Sequence, residues 1–247
     1  MNVGELGVKA VILAGGRGRR LEPYTSVLPK PLMPVGDRAI IEIIVDRLVE
    51  SGVDDVTLCV GYLAHLIEAI FNGRPRGARL RYVHEDSPLG TAGPLRLVDD
   101  LDGTFLVMNG DLLTDLDFKR LVELHRTAGN RVTIATHERR NVVDYGVLHT
   151  EPGESPRLIA YDEKPETSLT VSMGIYVMEP DVLPYIPSSG YFDFPHLVQA
   201  LLDAGLQVGT FPYSGNWLDI GRRDDYEEAL VQWAQRTNED RDTVAGT

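Results

Sequence analysis

Glycines and basic residues follow the first apolar run of the sequence. In VILAGGRGRRLEPYTSVLPKP, the apolar residues lead directly into Gly15, Gly16 and Gly18, interleaved with and followed by Arg17, Arg19, Arg20 and Lys30. A glycine backbone can approach a phosphate closely with its N–H groups turned toward the oxygens, and basic side chains neutralise the phosphate charge. Glycine-rich turns between a strand and a helix also occur in many α/β proteins without such a ligand. The clustered positive charge favours polyphosphate binding here.

An aspartate ends the apolar run FLVMNGD. Asp111 comes three residues after the segment Phe105–Met108, which has the pattern of a buried strand. A carboxylate at the carboxyl end of a sheet strand is well placed to hold Mg²⁺, so Asp111 is a candidate metal ligand. Asp115 and Asp117 are instead predicted to lie in a turn and at a helix start, where aspartate is favoured.

Three short pieces in the second half of the chain carry groups suited to a phosphorylated polyol. They are Asp144-Tyr145-Gly146-Val147, Asp162-Glu163-Lys164-Pro165 and Ser172-Met173-Gly174-Ile175-Tyr176. Lysine is a compact charge suited to a phosphate, and carboxylates accept hydrogen bonds from hydroxyls. Taken alone, the segment 163–165 is typical of a charged β-turn.

The elements that must position these residues alternate between short apolar runs and longer segments with a helical spacing of apolar residues. Apolar runs predict strands at Val8–Leu13, Val56–Val60, Leu80–Val83, Phe105–Met108 and Val132–Thr136. Apolar positions three and four residues apart predict helices at Ala39–Glu50, Leu63–Phe71 and Phe118–Ala128. This alternation is typical of strand–helix units that build a mostly parallel sheet.

The pattern changes after about residue 140. Shorter extended pieces at Gly146–Thr150, Leu158–Asp162 and Val171–Met178 predict additions to the sheet or a lid, and helices are predicted at Pro195–Ala204 and Arg223–Thr237. We expect one domain over 1–237, with halves at about 1–140 and 141–237. The polar residues 238–247 are predicted to be a flexible tail.

The composition excludes several classes of protein. A net charge of −13 argues against broad nucleic-acid binding, which depends on Lys and Arg neutralising phosphates. The longest apolar stretches are far shorter than the ~20 residues that span a bilayer, so no membrane span is expected. The N-terminus has no basic leader before its apolar run, and a cytoplasmic protein is therefore expected. The single cysteine, Cys59, lies in an apolar run and is predicted to be a buried structural thiol.

The motifs and their order, over about residues 8–230, resemble the signature of the sugar-1-phosphate nucleotidyltransferases. The resemblance implies an α/β fold with a Rossmann-like mixed, mostly parallel sheet flanked by helices, and a smaller sugar-binding lobe. It also implies that Arg20 clamps a triphosphate while Lys30 contacts the phosphates from the other side. Asp111 and Asp219, the latter in WLDIG, would together hold the cofactor Mg²⁺.

Two segments would hold the nucleotide according to the resemblance. Their residues are Leu13, Ala14, Gly15, Gly16 and Gly18 in the first, and Glu85, Pro88, Gly90 and Thr91 in the second, HEDSPLGTAGPL. Guanine offers two N–H donors on one edge to a carboxylate, whereas uracil and thymine offer one N–H flanked by acceptors. Glu85 therefore favours GTP, with a solvated acidic loop as the alternative.

The resemblance also implies a sugar-phosphate site. Its residues would be Asn109, Tyr145, Gly146, Glu163, Lys164, Ser172 and Gly174. Glu163 would receive sugar hydroxyls and Lys164 the sugar phosphate. Many relatives carry Asn at the position of Ser172, which leaves the identity of the sugar open.

The expected reaction joins a nucleoside triphosphate, with GTP favoured, to mannose 1-phosphate or a related hexose, heptose or cyclitol phosphate. The alternatives are another triphosphate or acceptor, or a non-catalytic nucleotide-sugar sensor. The sequence carries no hexapeptide repeats, so no acetyltransferase activity is expected. A homo-oligomer is left open.

Overall fold

The structure, a computed structural model, describes residues 6–72 and 77–231. In chain order its strands are β1 (Lys9–Ala14), β2 (Pro34–Val35), β3 (Arg38–Ala39), β4 (Asp55–Val60), β5 (Arg79–His84), β6 (Phe105–Asn109), β7 (Leu112–Thr114), β8 (Val132–Val142), β9 (Val147–Thr150), β10 (Leu158–Asp162), β11 (Glu166–Met178), β12 (Val208–Tyr213) and β13 (Trp217–Asp219). The helices are α1 (Ile40–Glu50), α2 (Ala64–Phe71), α3 (Phe118–Ala128) and α4 (Phe194–Asp203), and α5 is helical over 223–231.

Seven strands form the central sheet, in the order β12-β8-β11-β6-β1-β4-β5. Parallel pairs join β1 to β4 and β6, β4 to β5, and β8 to β12. Within this described sheet, β11 alone runs antiparallel to its neighbours, β6 and β8. The Rossmann-like, mostly parallel sheet predicted from the sequence is therefore confirmed.

Helices cover both faces of the sheet. Alternate side chains of β1 enter two different cores, with Ala10 and Ile12 in one and Val11 in the other. The first core contains side chains of α1, α2, α3 and α5, and the second contains those of α4. Burial on both faces explains why these strands are continuous apolar runs in the sequence.

The parallel strands direct their carboxyl ends to one edge of the sheet. From β1, the sheet continues through β4 and β5 on one side and through β6 on the other. The strand order therefore reverses between β1 and β6, and ligands of open α/β sheets bind at such a point, outside the carboxyl ends of the strands. The glycine-rich loop after β1 and the turn with Asp111 after β6 both lie there.

Strands β8 and β11 are longer than predicted. β8 and β11 remain paired beyond the central sheet, where Glu166 lies opposite Val142. Their outer parts are exposed, as are most residues of the β9–β10 pair. The extended pieces predicted after residue 140 are confirmed as strands: β11 lies in the central sheet, whereas β9 and β10 form a separate two-stranded sheet. The polar sequence HERRN gave no apolar signal for the outer part of β8.

Strand β12 was not predicted. Gly209 and Pro212 interrupt its apolar pattern, and β12 lies at the edge of the sheet, where proline is tolerated because one row of backbone groups needs no strand partner. The helices α1 to α4 agree with the predictions to within one residue at each end. The rest of the helix predicted at Arg223–Thr237 and the tail at 238–247 lie outside the described residues.

The structure also bears on Cys59 and on membrane-spanning helices. Cys59 is buried, and burial raises the pKa of its thiol to about 12, which confirms a structural thiol. Among the described residues, no helix is both long enough and apolar enough to cross a membrane.

Candidate active site

Three short 3-10 turns follow β1, of which the first carries Arg20 and the third carries Lys30. Gly18 adopts a left-handed backbone, with φ of +64°, just before the first of them. A Cβ atom at Gly18 would lie 3.1 Å from the Cβ of Lys30 and 3.1 Å from Cγ2 of Thr25. The Thr25 hydroxyl donates to the Gly18 carbonyl at 2.9 Å, which holds the loop closed. Backbone conformation and close packing therefore both require glycine at this position.

Lys30 and Asp111 form an ion pair between the loop after β1 and the turn after β6. The Lys30 ammonium donates to Oδ2 of Asp111, and Lys30 is only 8% exposed. The other oxygen of Asp111, Oδ1, is buried and has no hydrogen-bond partner among the described residues. A buried, unpaired carboxylate oxygen is unfavourable, and it is a suitable ligand for a hard cation.

The antiparallel pair of β7 and β13 brings Asp219 beside Asp111. Asp219 lies opposite Leu112 in this pair. The next residue, Ile220, donates its backbone N–H to the carbonyl of Asp111 at 3.1 Å. Two carboxylates separated by more than a hundred residues are thus fixed next to each other by backbone hydrogen bonds.

The electrostatics of Asp219 follow from this proximity. Partial burial and then the negative charge of Asp111 raise the pKa of Asp219, and Asp225 adds a smaller effect in the same direction. Lys30 and Arg20 act the other way. A Cβ at Gly221 would lie 3.4 Å from Oδ1 of Asp219 and 3.8 Å from a guanidinium nitrogen of Arg20, so Arg20 lies close to this cluster.

The donor set fits Mg²⁺ bound together with a phosphorylated ligand. Among the described residues, no group of three or more His, Cys, Asp or Glu side chains is arranged to hold a metal ion. Mg²⁺ retains water and phosphate oxygens and needs only one or two carboxylates from the protein. Asp111 and Asp219 meet that need, and the orphaned Oδ1 of Asp111 is the oxygen that a cation would satisfy.

Glu85 packs directly against the glycine-rich loop. A Cβ at Gly15 would lie 2.1 Å from Oε1 of Glu85, so any larger residue here would displace this carboxylate from its position. The other oxygen, Oε2, accepts a hydrogen bond from the backbone N–H of Leu89 at 3.3 Å. Burial raises the pKa of Glu85, although the Leu89 N–H and the charge of Arg96 lower it. The two predicted nucleotide segments therefore meet at Gly15 and Glu85.

Thr91 was predicted to lie against the nucleotide, but its hydroxyl is hydrogen-bonded to protein groups. It donates to Oδ1 of Asp193 at 3.1 Å and accepts from the backbone N–H of Phe194 at 2.9 Å. Pro88 is exposed in the same loop, and Gly90 adopts a left-handed backbone with φ of +86°. Contact between this loop and a nucleotide stays a prediction.

Asn109 and Gly174 meet at the end of β6. Gly174 lies in a bulge of β11, where the register with β8 shifts between Ser172 and Tyr176, and its φ is +72°. A Cβ at Gly174 would lie 2.5 Å from the Asn109 side-chain nitrogen. Ser172 accepts a hydrogen bond from the Gly174 N–H at 3.2 Å and donates to the Tyr176 hydroxyl at 3.1 Å.

The remaining predicted sugar residues form a separate, exposed group around β10. The Tyr161 hydroxyl donates to Glu163 at 2.8 Å, and its ring lies so close to Gly146 that a Cβ there would be 2.1 Å from the hydroxyl oxygen. Lys164, with φ of +46°, pairs with Asp144 at 2.9 Å.

The structure therefore separates the predicted phosphate and metal residues from three of the predicted sugar residues. Arg20, Lys30, Asp111 and Asp219 form the inner cluster, but Glu163 and Lys164, like the 79% exposed Tyr145, lie in an outer group around β9 and β10. No hydrogen bond or ion pair of the described residues joins the two groups.

Sequence reasoning missed three residues that shape the site. Tyr161 lies on β10, two positions before Glu163, and its hydroxyl reaches that carboxylate just beyond the end of the strand. Trp217 donates its indole N–H to the Met173 carbonyl at 3.1 Å, next to the bulge. Asp193 had a helix-start signal, but its partner Thr91 lies about a hundred residues earlier, which no local pattern reveals.

A family model described as nucleotidyl transferase matches residues 9–236. The chain is 34% identical over 244 residues to a UTP–glucose-1-phosphate uridylyltransferase of Synechocystis sp., which covers 90% of this chain. It is 34% identical over 227 residues to a mannose-1-phosphate guanyltransferase of Aspergillus fumigatus, which covers 89% of this chain. The chain spans 62% of the length of each of these two relatives.

Solved structures share the fold. A protein of Bacillus anthracis, crystallised in complex with a sucrose and provisionally named a glucose-1-phosphate thymidylyltransferase, superimposes with a TM-score of 0.72 at 25% identity. The similarity covers 92% of this chain and 95% of that one.

Proposed function

The chain belongs to the nucleotidyl transferase family, and from this membership we propose that it transfers a nucleoside monophosphate from a nucleoside triphosphate to a sugar 1-phosphate, with release of pyrophosphate. The observation that carries the proposal is the inner cluster of Arg20, Lys30, Asp111 and Asp219 at the strand switch point. It combines cations for phosphate oxygens with carboxylates for Mg²⁺.

The proposed reaction is a single in-line displacement. An oxygen of the sugar phosphate forms a bond to the α-phosphorus of the triphosphate, and the bond from this phosphorus to the bridging oxygen of the β-phosphate breaks. Pyrophosphate leaves with that electron pair. The attacking oxygen is anionic at neutral pH, so the reaction needs no general base, and the protein contributes alignment and charge neutralisation.

Each residue of the inner cluster has one task in this proposal. Arg20 neutralises the charge that develops on the departing pyrophosphate, and Lys30 binds the phosphates from the other side while it remains close to Asp111. Asp111 and Asp219 would hold Mg²⁺, which when bound screens the phosphate charges and polarises the phosphorus centre.

The outer group supplies the acceptor side. Lys164 is paired with Asp144, but both side chains are well exposed, at 57% and 80%. An exposed ion pair contributes little, so Lys164 can exchange Asp144 for a sugar phosphate at small cost. Tyr161 lies on β10 and Glu163 directly follows that strand, and the hydrogen-bonded pair is suited to receive sugar hydroxyls.

Glu85 supports GTP as the preferred triphosphate. The relatives with equal identity name both UTP and a guanylyl transfer, so similarity does not separate the two bases. Glu85 presents carboxylate oxygens beside the Gly15 backbone, and guanine alone among these bases offers two N–H donors on one edge. Mannose 1-phosphate is the acceptor that we propose together with GTP.

The deciding experiment measures pyrophosphate release with Mg²⁺ for GTP, ATP, CTP, UTP and dTTP, each combined with a panel of sugar and cyclitol 1-phosphates. Turnover with GTP and mannose 1-phosphate is the expected result. Turnover with another pair alone would retain the reaction and overturn the specificity. Nucleotide binding without turnover across the panel would favour a nucleotide-sugar sensor instead.

A further inference from the structure

The predicted nucleotide loop, residues 88–93, is fastened to the start of α4 by reciprocal hydrogen bonds. Oδ1 of Asp193 accepts from the backbone N–H of Thr91 at 2.8 Å and from its hydroxyl at 3.1 Å. The Thr91 hydroxyl oxygen in turn accepts from the N–H of Phe194, the first residue of the helix, at 2.9 Å. A side chain of each segment therefore accepts a hydrogen bond from a backbone N–H of the other.

Backbone hydrogen bonds reinforce this connection. The carbonyl of Phe192 accepts from the N–H groups of Ala92 at 3.0 Å and Gly93 at 2.9 Å. The N–H of Phe192 donates to the carbonyl of Leu89 at 2.8 Å. A Cβ at Gly90 would lie 2.5 Å from the Phe192 carbonyl oxygen. The loop is thus in close contact with residues 192–194 along most of its length.

Helix α4 provides a rigid support for this contact. Leu197 and Leu201 are fully buried in the second core, and Phe194 is 3% exposed and stacks on Tyr176 with ring centroids 4.0 Å apart. The orphan N–H at a helix start needs a partner, which here comes from the nucleotide loop. The conformation of the loop is therefore set by a helix that cannot shift easily.

We propose that Asp193 is a positioning residue that holds loop 88–93 in the conformation that binds the nucleotide, and this inference rests on the proposed function. Asp193 acts through Thr91, and it has no role in the displacement step itself. Its loss therefore weakens binding of the triphosphate while the inner cluster keeps its geometry.

The test compares steady-state kinetics of the full chain and its variants with GTP, mannose 1-phosphate and Mg²⁺, or with UTP and glucose 1-phosphate if that pair is the one turned over. For Asp193→Ala we expect the KM for the triphosphate to rise about 10-fold, with kcat within about twofold. Asp193→Asn retains an acceptor oxygen and is expected to restore KM to near the wild-type value. Asp203→Ala, at the other end of α4, removes a hydrogen bond from Gln199, the one side-chain bond of Asp203 to residues 6–72 and 77–231, and serves as the matched control.

The outcomes separate the inference from the proposed function. An unchanged KM in Asp193→Ala, with an active wild type, overturns the positioning role alone. An equal fall of kcat in Asp193→Ala and Asp193→Asn with lower melting temperatures also overturns it, because that pattern indicates a purely structural residue. A wild type that neither binds the triphosphates in calorimetry nor releases pyrophosphate overturns the proposed function.

Discussion

The ammonium of Lys30 donates to Oδ2 of Asp111, whereas Oδ1 of the same carboxylate is buried without a hydrogen-bond partner among the described residues. One oxygen is neutralised by Lys30 of the loop after β1, and the other is open to a cation in the proposed function. The segments after β1 and β6 are therefore linked by charge before any substrate binds, which favours a preorganised site.

Asp111→Asn is expected to reduce turnover with Mg²⁺ by at least about 100-fold, because it removes the charge that a metal ion needs. Pyrophosphate release and the melting temperature are the measurements. Asp117→Asn is the control, since Asp117 caps α3 by accepting from Arg120 at 3.1 Å and asparagine caps equally well. Near-normal turnover of Asp111→Asn would contradict its role as a metal ligand.

Arg20→Ala is expected to lower kcat on the order of 100-fold while the fold is retained, because Arg20 is exposed at the site and its proposed task is charge stabilisation. Arg223→Ala provides a matched loss of an exposed arginine, which within the part of the chain that the structure describes pairs with Glu227 on its own helix at 2.9 Å. If both variants lose activity equally, overall charge and not the position of Arg20 accounts for the effect.

The sequence was sufficient for the elements that are buried on both faces. β1 and β6 are apolar runs with charged or glycine-rich continuations, and α1 has a helical apolar period, so their types and approximate ends follow from local pattern. The outer part of β8 and the edge strand β12 could not be found in this way. One is polar on both faces, and the other contains Gly209 and Pro212.

The candidate site was likewise predictable from local sequence pattern only in part. Lys30 and Asp111 are marked by their motifs, and each follows a recognisable strand. Their ion pair, and the reciprocal cap between Thr91 and Asp193, depend on long-range geometry. Sequence patterns identify which groups can do chemistry, but the sheet order determines which of them meet.

Gly174→Ala is expected to destabilise the protein by about 1–3 kcal/mol, because a side chain is strained at φ of +72° and its Cβ would clash with Asn109. Gly103→Ala is the control, since a Cβ there meets nothing within 4 Å. Urea unfolding measures both variants. Equal stability of the two variants would show that the bulge of β11 accommodates a side chain without loss of stability.

A buried polar chain lies at the opposite end of the sheet from the site. His125 is fully buried between the Thr133 hydroxyl, 2.8 Å from Nδ1, and the Glu179 carboxylate, 3.1 Å from Nε2. Burial lowers the pKa of His125, although Glu179 raises it and the charges of Arg126 and Arg131 lower it slightly. The neutral form is therefore favoured in the folded protein.

The free energy of unfolding should consequently fall as the pH drops below about 6.5, because the unfolded chain then takes up a proton at His125 that the folded protein does not. The slope from this one group is at most about 1.4 kcal/mol per pH unit. In His125→Gln we expect the loss of stability between pH 6.5 and 5.5 to be smaller. Exposed His65→Gln should leave the slope unchanged, and equal slopes in all three proteins would contradict the assignment.

Glu85→Gln is expected to lower the ratio of kcat/KM for GTP to that for UTP by at least about 10-fold, or roughly 1.4 kcal/mol. A carboxylate accepts from both N–H donors of guanine, whereas the glutamine amide places a donor against one of them and matches the alternating pattern of uracil. Competition between the two triphosphates for pyrophosphate release gives the ratio directly. Asp86→Asn removes a neighbouring charge that is exposed and should leave the ratio unchanged. A ratio that moves equally in both variants would assign the effect to loop charge and remove Glu85 from recognition of the base.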